Sequence, residues 1–144
     1  MSRLVPWLTP LLALAGIGVA SYLTWVHYDV DALVCGVGDC LEVQTSDYAD
    51  VFGIPVAILG LLMYVGVMVL GILRIARPAL SGVLTAALFT GTLAGVIYSA
   101  WLTYVEIWVI EAICQWCVVS AIITLAIFAI EAITLWRAEP AELV

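Results

Sequence analysis

The chain has 144 residues, of which 66% are hydrophobic and only 10% are charged, and its formal net charge is −7. Soluble domains average about 45–50% apolar and about 25% charged residues, so this composition excludes an ordinary soluble domain and indicates a membrane protein. Apart from one histidine, the basic residues are four arginines, and without a basic face no binding to nucleic acid is expected.

Four apolar runs are long enough to cross a bilayer, since about 20 residues at 1.5 Å per residue span roughly 30 Å of hydrocarbon. In chain order they cover residues of about 8–26, 54–73, 80–105 and 112–136. Pro55 suits a first helical turn of the second run. We predict an all-α, integral membrane four-helix bundle that forms a single domain over residues 1–144, without a fused thioredoxin-like domain and with a long loop between its first two helices.

The first apolar run has two readings. An arginine and several small residues accompany it, as in a signal peptide. Its apolar stretch is longer than the 7–15 residues typical of a signal core. We therefore expect a retained spanning helix, with a cleaved signal peptide as the alternative.

The arginines predict an orientation. Arg3 precedes the first helix, Arg74 and Arg77 are expected between the second and third, and Arg137 follows the fourth. Because cytoplasmic loops carry the excess of arginine, both termini are predicted on the cytoplasmic side of a plasma or inner membrane. All four cysteines then fall on the outer face, where the long loop lies and where disulfides persist.

The cysteines form two close pairs, Cys35 with Cys40 and Cys114 with Cys117. A C-x-x-C disulfide closes only a few residues, so it contributes little loop-closure stability. A helix N-terminus and a C-x-x-C context both favour a reactive thiolate. Glu111, three residues before Cys114, opposes it, so the sequence does not predict the direction of the net pKa shift. The glycine-containing first loop predicts a mobile dithiol that exchanges with a soluble partner and with the embedded pair, which indicates a redox relay.

A relay needs an electron acceptor. The chain has no haem-like histidine pair, no glycine-rich nucleotide fingerprint and no lysine for a covalent cofactor. At a bilayer surface the available two-electron acceptor is a lipid-soluble quinone. Two alternatives stay open: a zinc site, for which C-x4-C with C-x2-C is a loose match, and a non-enzymatic tetraspan scaffold with structural disulfides.

The order of these motifs resembles the vitamin K epoxide reductase family, in its bacterial branch. A cysteine pair follows the first helix, then come Ser46 and the "FGIP" segment, and C-x-x-C begins the fourth helix. The related DsbB-type oxidases instead carry C-x-x-C in the first loop. The resemblance covers essentially the whole chain and implies a four-helix bundle around a quinone pocket.

By position, the resemblance implies a role for each cysteine. Cys35 and Cys40 would be the shuttle pair that takes electrons from a separate secreted or periplasmic thioredoxin-like protein. Cys40 would attack Cys114, and Cys117 would be released as the thiolate that faces the quinone, of the menaquinone, ubiquinone or vitamin K type. The chain would thus support disulfide formation as a membrane thiol oxidoreductase.

Other residues are expected around the quinone. Ser46 would donate a hydrogen bond to it, or else make only a local turn bond, and Phe52 would border it. Tyr98, with Trp101 and Tyr104, would either line the pocket or form part of an interfacial belt. The tyrosine that vertebrate members place four residues after the second C-x-x-C cysteine is Ala121 here, which argues against vitamin K epoxide as the natural substrate.

Overall fold

The computed structural model describes residues 4–36 and 38–137. Its four long helices are α1 (Val5–Tyr28), α3 (Val56–Ala76), α4 (Ser81–Tyr104) and α5 (Gln115–Arg137). Each is long and apolar enough to cross a membrane, α4 as part of the longer segment Pro78–Ile110. The predicted all-α membrane bundle is confirmed.

The helices alternate in direction. One buried cluster at mid-bundle takes Ala13 from α1, Tyr64 from α3, Leu88 from α4 and Ile127 from α5. A second cluster lies at the end where α1 finishes and α5 begins, and it contains Leu23, Val26, Cys40, Val43, Ala112 and Cys114. Two of the four cysteines are therefore part of the packed end of the bundle.

The connection from α1 to α3 contains the short helix α2 (Cys40–Gln44) and a hairpin of β1 (Asp50–Val51) and β2 (Ile54–Pro55). The second spanning helix was predicted to begin at about residue 54 with Pro55 in its first turn; α3 begins at Val56, and Pro55 immediately precedes it. Phe52 and Gly53 turn the chain with φ values of 53° and 82°, and Pro55 pairs with Asp50. Hydropathy does not distinguish this turn from a helix start, because both are apolar.

Beyond Tyr104, α4 continues as a π-helical turn, Val105–Ile110. The sequence predicted a short link from residue 106 to residue 111 on the outer side. Instead the helix persists until Glu111, whose left-handed φ of 59° ends it. The wider turn buries Glu106, which is only 6% exposed.

The position of Arg74 differs from the one predicted from the sequence. It was expected between helices but lies in the last turn of α3, and it is 9% exposed. Its guanidinium donates to the Glu131 carboxylate at 2.6 and 3.1 Å, and Thr9 donates to the same carboxylate at 2.5 Å. Because its charge is neutralised inside the bundle, Arg74 no longer supports the predicted orientation. Among the described residues, that prediction rests on Arg77 and Arg137. Arg3 lies outside the described residues.

Candidate functional site

The loop cysteines Cys35 and Cys40 are joined by a disulfide. Cys40 opens α2 and is 1% exposed, whereas Cys35 is only partly buried. The carboxylate of Asp39 accepts a 3.4 Å hydrogen bond from the Glu42 amide, which pairs one of the open donors at the start of α2. A reactant from solvent therefore reaches Cys35 more easily, while Cys40 faces the bundle.

Cys114 and Cys117 are both thiols. Cys114 is fully buried immediately before α5, and its sulfur accepts hydrogen bonds from the Cys117 thiol, the Cys117 and Trp116 amides and the Gln44 side chain. These donors, led by the Cys117 thiol, lower the pKa of Cys114 to about 6 against the opposing effect of burial. The lowered pKa favours the thiolate form of Cys114 and makes this sulfur a good leaving group in thiol–disulfide exchange.

The backbone joins the loop to the start of α5. Gly38 and Cys114 form an isolated antiparallel β-bridge, and the Asp39 amide donates to the Ile113 carbonyl at 2.8 Å. Gly38 has φ +85°, and a Cβ atom there would collide with the Ile113 carbonyl oxygen. Only glycine tolerates both this positive φ and this close approach of the Ile113 carbonyl. Docking of the loop therefore requires glycine at position 38.

Trp116, the second residue of α5, fastens the other side of the loop. Its indole Nε1 donates to the Val34 carbonyl at 2.7 Å, and its ring centroid lies 5.1 Å from that of Tyr22. The Tyr22 hydroxyl in turn accepts from the Val34 amide at 2.7 Å. The tryptophan inside the C-x-x-C therefore holds the disulfide-bearing loop against α1 and α5.

Next to the embedded pair lies a cavity of about 330 Å³. All four long helices contribute to its wall, and most of its lining side chains are apolar. Cys117 lines it, together with polar groups from α2, α3, α4 and the π-helical turn: Gln44, Tyr64, Tyr98, Ser99, Thr103 and Glu106. An apolar cavity with a few convergent polar groups is the usual form of a small-molecule site.

Ser46, predicted as a quinone contact, is one of the residues that line this cavity. Its hydroxyl donates to the Val43 carbonyl at 2.8 Å, which is the local turn bond that was the alternative reading. The hydroxyl proton is therefore engaged, and in this conformation Ser46 offers a ligand an acceptor rather than the predicted donor.

Phe52 is not brought to the cavity. Its side chain is fully exposed at the tip of the β1–β2 hairpin, and it is not among the residues that line the cavity. The predicted contact with the quinone is thus not seen in this conformation, because the positive φ at Phe52 turns the chain away from the bundle.

The aromatic residues of α4 divide between the two predicted roles. Tyr98 lines the cavity, whereas Trp101 and Tyr104 are exposed on the outside of the bundle. Trp101 stacks on Tyr104 at 5.8 Å, and Tyr104 stacks on Trp108 at 5.3 Å. Ala121 also lines the cavity, so the wall is open where vertebrate members place a tyrosine.

Glu106 was not identified as a site residue from the sequence. Its carboxylate accepts a 3.3 Å hydrogen bond from the Cys114 amide and is hydrogen-bonded to the Cys117 thiol. The available signal was an acidic residue eight positions before the C-x-x-C, but its inward direction depends on the π-helical turn.

The four sulfurs do not converge on a metal centre. Cys35 and Cys40 are bonded to each other. Within residues 4–36 and 38–137, no group of three or more His, Cys, Asp or Glu side chains is arranged to hold a metal ion.

Four spanning helices, an internal apolar cavity with a thiol in its wall, and a disulfide docked beside that thiol together define a multi-pass membrane protein of the thiol oxidoreductase class. The model of the vitamin K epoxide reductase family matches residues 7–132. The chain belongs to this family. Members generally use a quinone as electron acceptor and work with thioredoxin-like partners.

Proposed function

We propose that this protein is a quinone-dependent thiol:disulfide oxidoreductase that oxidises an exported thioredoxin-like protein. The observation that carries the proposal is the position of three sulfurs. Cys40 and Cys114 are buried in one cluster, and Cys117, one helical turn beyond Cys114, lines the cavity. A path for electrons thus leads from the loop to the cavity through adjacent cysteines.

The first transfer occurs between the partner and the loop. A thiolate of the partner attacks the more accessible Cys35 of the Cys35–Cys40 disulfide, and its second thiol then releases Cys35. The partner leaves with a disulfide, and the loop keeps two electrons as two thiols. Direct contact between sulfurs is required at each step, and the partial exposure of Cys35 supplies it.

The second transfer occurs within the chain. Cys40 attacks Cys114 of the embedded disulfide and releases Cys117; Cys35 then attacks Cys40 and releases Cys114. The donors around Cys114, which lower its pKa to about 6, favour this release because a thiol of low pKa leaves faster. The structure has the redox state that these steps produce, with the loop oxidised and the embedded pair reduced.

The cavity completes the relay. Its volume and largely apolar wall fit a quinone ring, with the Cys117 thiol in the wall and the Tyr98 hydroxyl as a donor to a quinone carbonyl. Ser46, whose proton is engaged by the Val43 carbonyl, would accept a hydrogen bond only from the reduced hydroquinone. When bound, a quinone of the menaquinone, ubiquinone or vitamin K type supplies a two-electron acceptor. The chain then closes the Cys114–Cys117 disulfide and is ready to accept electrons from Cys40 again.

The proposal includes an orientation. The cysteine-bearing end would face the outside of the cell and both termini the cytoplasm, with Arg77 and Arg137 at the cytoplasmic end. A membrane-impermeant maleimide applied to intact cells after mild reduction should label Cys35. Labelling only after the membrane is permeabilised would reverse the orientation.

The test of function is quinol formation by the purified protein with a dithiol and a short-tailed quinone. Wild type should turn over, and Cys117→Ala should not. Cys35→Ala should lose oxidation of a thioredoxin-like protein but still reduce the quinone with a small dithiol that reaches the embedded pair. If neither wild type nor variants turn over while all thiols remain reducible, a scaffold with structural disulfides becomes the better description.

A further inference from the structure

Glu106 is a buried carboxyl group that the relay described so far does not use. It is 6% exposed, lies on the π-helical turn, and lines the cavity beside Cys117. One of its oxygens accepts from the Cys114 amide at 3.3 Å, and the carboxyl group is hydrogen-bonded to the Cys117 thiol. It therefore contacts both residues of the embedded pair.

Within residues 4–36 and 38–137, no salt bridge involves the Glu106 carboxyl group. Among the described residues that line the cavity, none is lysine or arginine, and the titratable ones besides Glu106 are His27, Tyr48, Tyr64, Tyr98 and Cys117. His27 on α1 is paired with Asp50 at 3.3 Å. By contrast, the buried Glu131 at the other end of the bundle forms an ion pair with Arg74. A buried carboxyl group without a cationic partner needs another reason for its position.

We propose that Glu106 is the acid–base residue of the quinone step, taking the proton of Cys117 and passing it into the cavity. This inference rests on the proposed function. In that step the Cys117 S–H bond breaks, the Cys114–Cys117 S–S bond forms and two electrons leave to the quinone. In this step Cys114 reacts as a thiolate, so one of the two protons that complete the hydroquinone comes from Cys117 through Glu106, and the other comes from solvent.

The alternative is a purely structural role, in which Glu106 only caps α5 by accepting a hydrogen bond from the Cys114 amide. Glu106→Gln separates the two roles, because a glutamine oxygen still accepts that hydrogen bond but cannot take up a proton at neutral pH. Glu111→Gln is the matched control: Glu111 is exposed five residues further on, and the change removes the same charge at the same end of the bundle.

We expect Glu106→Gln to lower the rate of quinol formation about 100-fold, the lower end of the usual contribution of acid–base catalysis, and Glu111→Gln to leave it near wild type. Exchange between the loop and the embedded pair should be unchanged by Glu106→Gln. It is followed without quinone, in a Cys35→Ala background, as formation of the Cys40–Cys114 mixed disulfide. If Glu106→Gln turns over like wild type, or slows both steps equally, the proposal is wrong.

A second readout uses no quinone. With Cys114→Ser isolating Cys117, its alkylation by iodoacetamide should follow a two-step pH profile, because two interacting groups titrate together. In Glu106→Gln the profile should become a single one-proton curve. A single curve in both proteins would show that the two groups do not share a proton and would overturn the proposal.

Glu106→Asp covers the case in which the glutamine variant does not fold. This variant keeps the acid but shortens its reach, so it should retain the two-step profile and turn over more slowly than wild type. A one-step profile in Glu106→Asp would contradict the proposal. If wild type itself forms no quinol, the proposed function fails, whereas active wild type with an equally active glutamine variant refutes only the role of Glu106.

Discussion

Gly38 and Cys114 pair as an antiparallel β-bridge, although 76 residues of chain separate them. This bridge brings the disulfide-bearing loop to the first cysteine of the C-x-x-C. With the Asp39 to Ile113 hydrogen bond of 2.8 Å beside it, the backbone fixes which loop sulfur lies next to the embedded pair. Docking of the loop is thus a property of the main chain as well as of sulfur chemistry.

Gly38→Ala tests this docking. A Cβ at Gly38 would collide with the Ile113 carbonyl, and φ +85° is itself unfavourable for alanine. We expect internal transfer from Cys40 to Cys114 to slow at least tenfold, while quinone reduction with a small dithiol that reaches the embedded pair persists. Quenched-flow trapping of the reduced embedded pair measures the first rate.

Gly36→Ala is the control for that experiment, because a Cβ at Gly36 meets only the Gln115 side-chain oxygen at an ordinary 3.6 Å. It should transfer electrons at close to the wild-type rate. Equal slowing in both alanine variants would mean that general loop flexibility matters, and not the bridge to Cys114.

The thiolate of Cys114 predicts a pH dependence. Because its pKa is lowered to about 6, chiefly by the Cys117 thiol, thiolate absorbance of the reduced protein should rise with pH around 6. Below that pH the free Cys114 thiol is protonated, so its attack on the Cys35–Cys40 disulfide, which is the reverse of internal transfer, should slow as the solution becomes acidic. Gln44→Leu removes one donor and should move the midpoint upward. A midpoint near 8.5, the ordinary value for cysteine, would contradict this account.

A substitution at Gly95 tests whether the quinone binds in the cavity. A Cβ there would lie 2.6 Å from the Met63 sulfur and 3.1 Å from a Thr124 methyl, whereas at Gly91 it would meet open space. In Gly95→Ala, Met63 must therefore shift within the cavity wall. We expect the KM for a short-tailed quinone to rise about tenfold, equivalent to about 1.4 kcal/mol.

Gly91→Ala should leave that KM unchanged, since the two glycines lie one turn apart on the same helix and only Gly95 lines the cavity. The exchange between the loop and the embedded pair should be equal in both variants. If the KM rises in both variants or in neither, the quinone does not bind in this cavity.

Glu131 predicts a stability effect at the opposite end of the bundle. It is fully buried and accepts from Arg74 and Thr9, so Glu131→Ala leaves a buried guanidinium without its partner. Such a loss costs about 3–5 kcal/mol, which should appear as a large fall in thermal stability in detergent.

Replacing both charges, in Arg74→Met with Glu131→Leu, should recover much of that loss, because an apolar pair of similar volume has no charge to compensate. If the double variant is as unstable as Glu131→Ala, the cost comes from packing and not from the unpaired charge. Neither change should alter the pH profile of Cys114 at the far end.

Several features of the site were recognisable without coordinates. Apolar runs of spanning length gave the four helices, and the spacing of the cysteines gave both pairs. The placement of Ser46 in the wall followed from the family resemblance. These features are local in sequence, since a run of hydrophobic residues or a C-x-x-C has the same consequence wherever the chain takes it.

Other features depended on backbone turns and on contacts between distant segments. The positive φ of Phe52 turned its side chain outward, the π-helical turn directed Glu106 inward, and Trp116 proved to hold the loop through the Val34 carbonyl. Each depends on a dihedral angle or a long-range hydrogen bond that hydropathy does not encode.

The sequence by itself determined that this is a four-helix membrane protein with two cysteine pairs, because burial of apolar side chains in lipid and thiol chemistry both follow from composition and spacing. Only the tertiary structure decided that Arg74 belongs to a buried ion pair and that Glu106 contacts both Cys114 and Cys117. The physical reason is that a buried charge is stable only beside a specific partner, and which partner is near depends on how the helices pack.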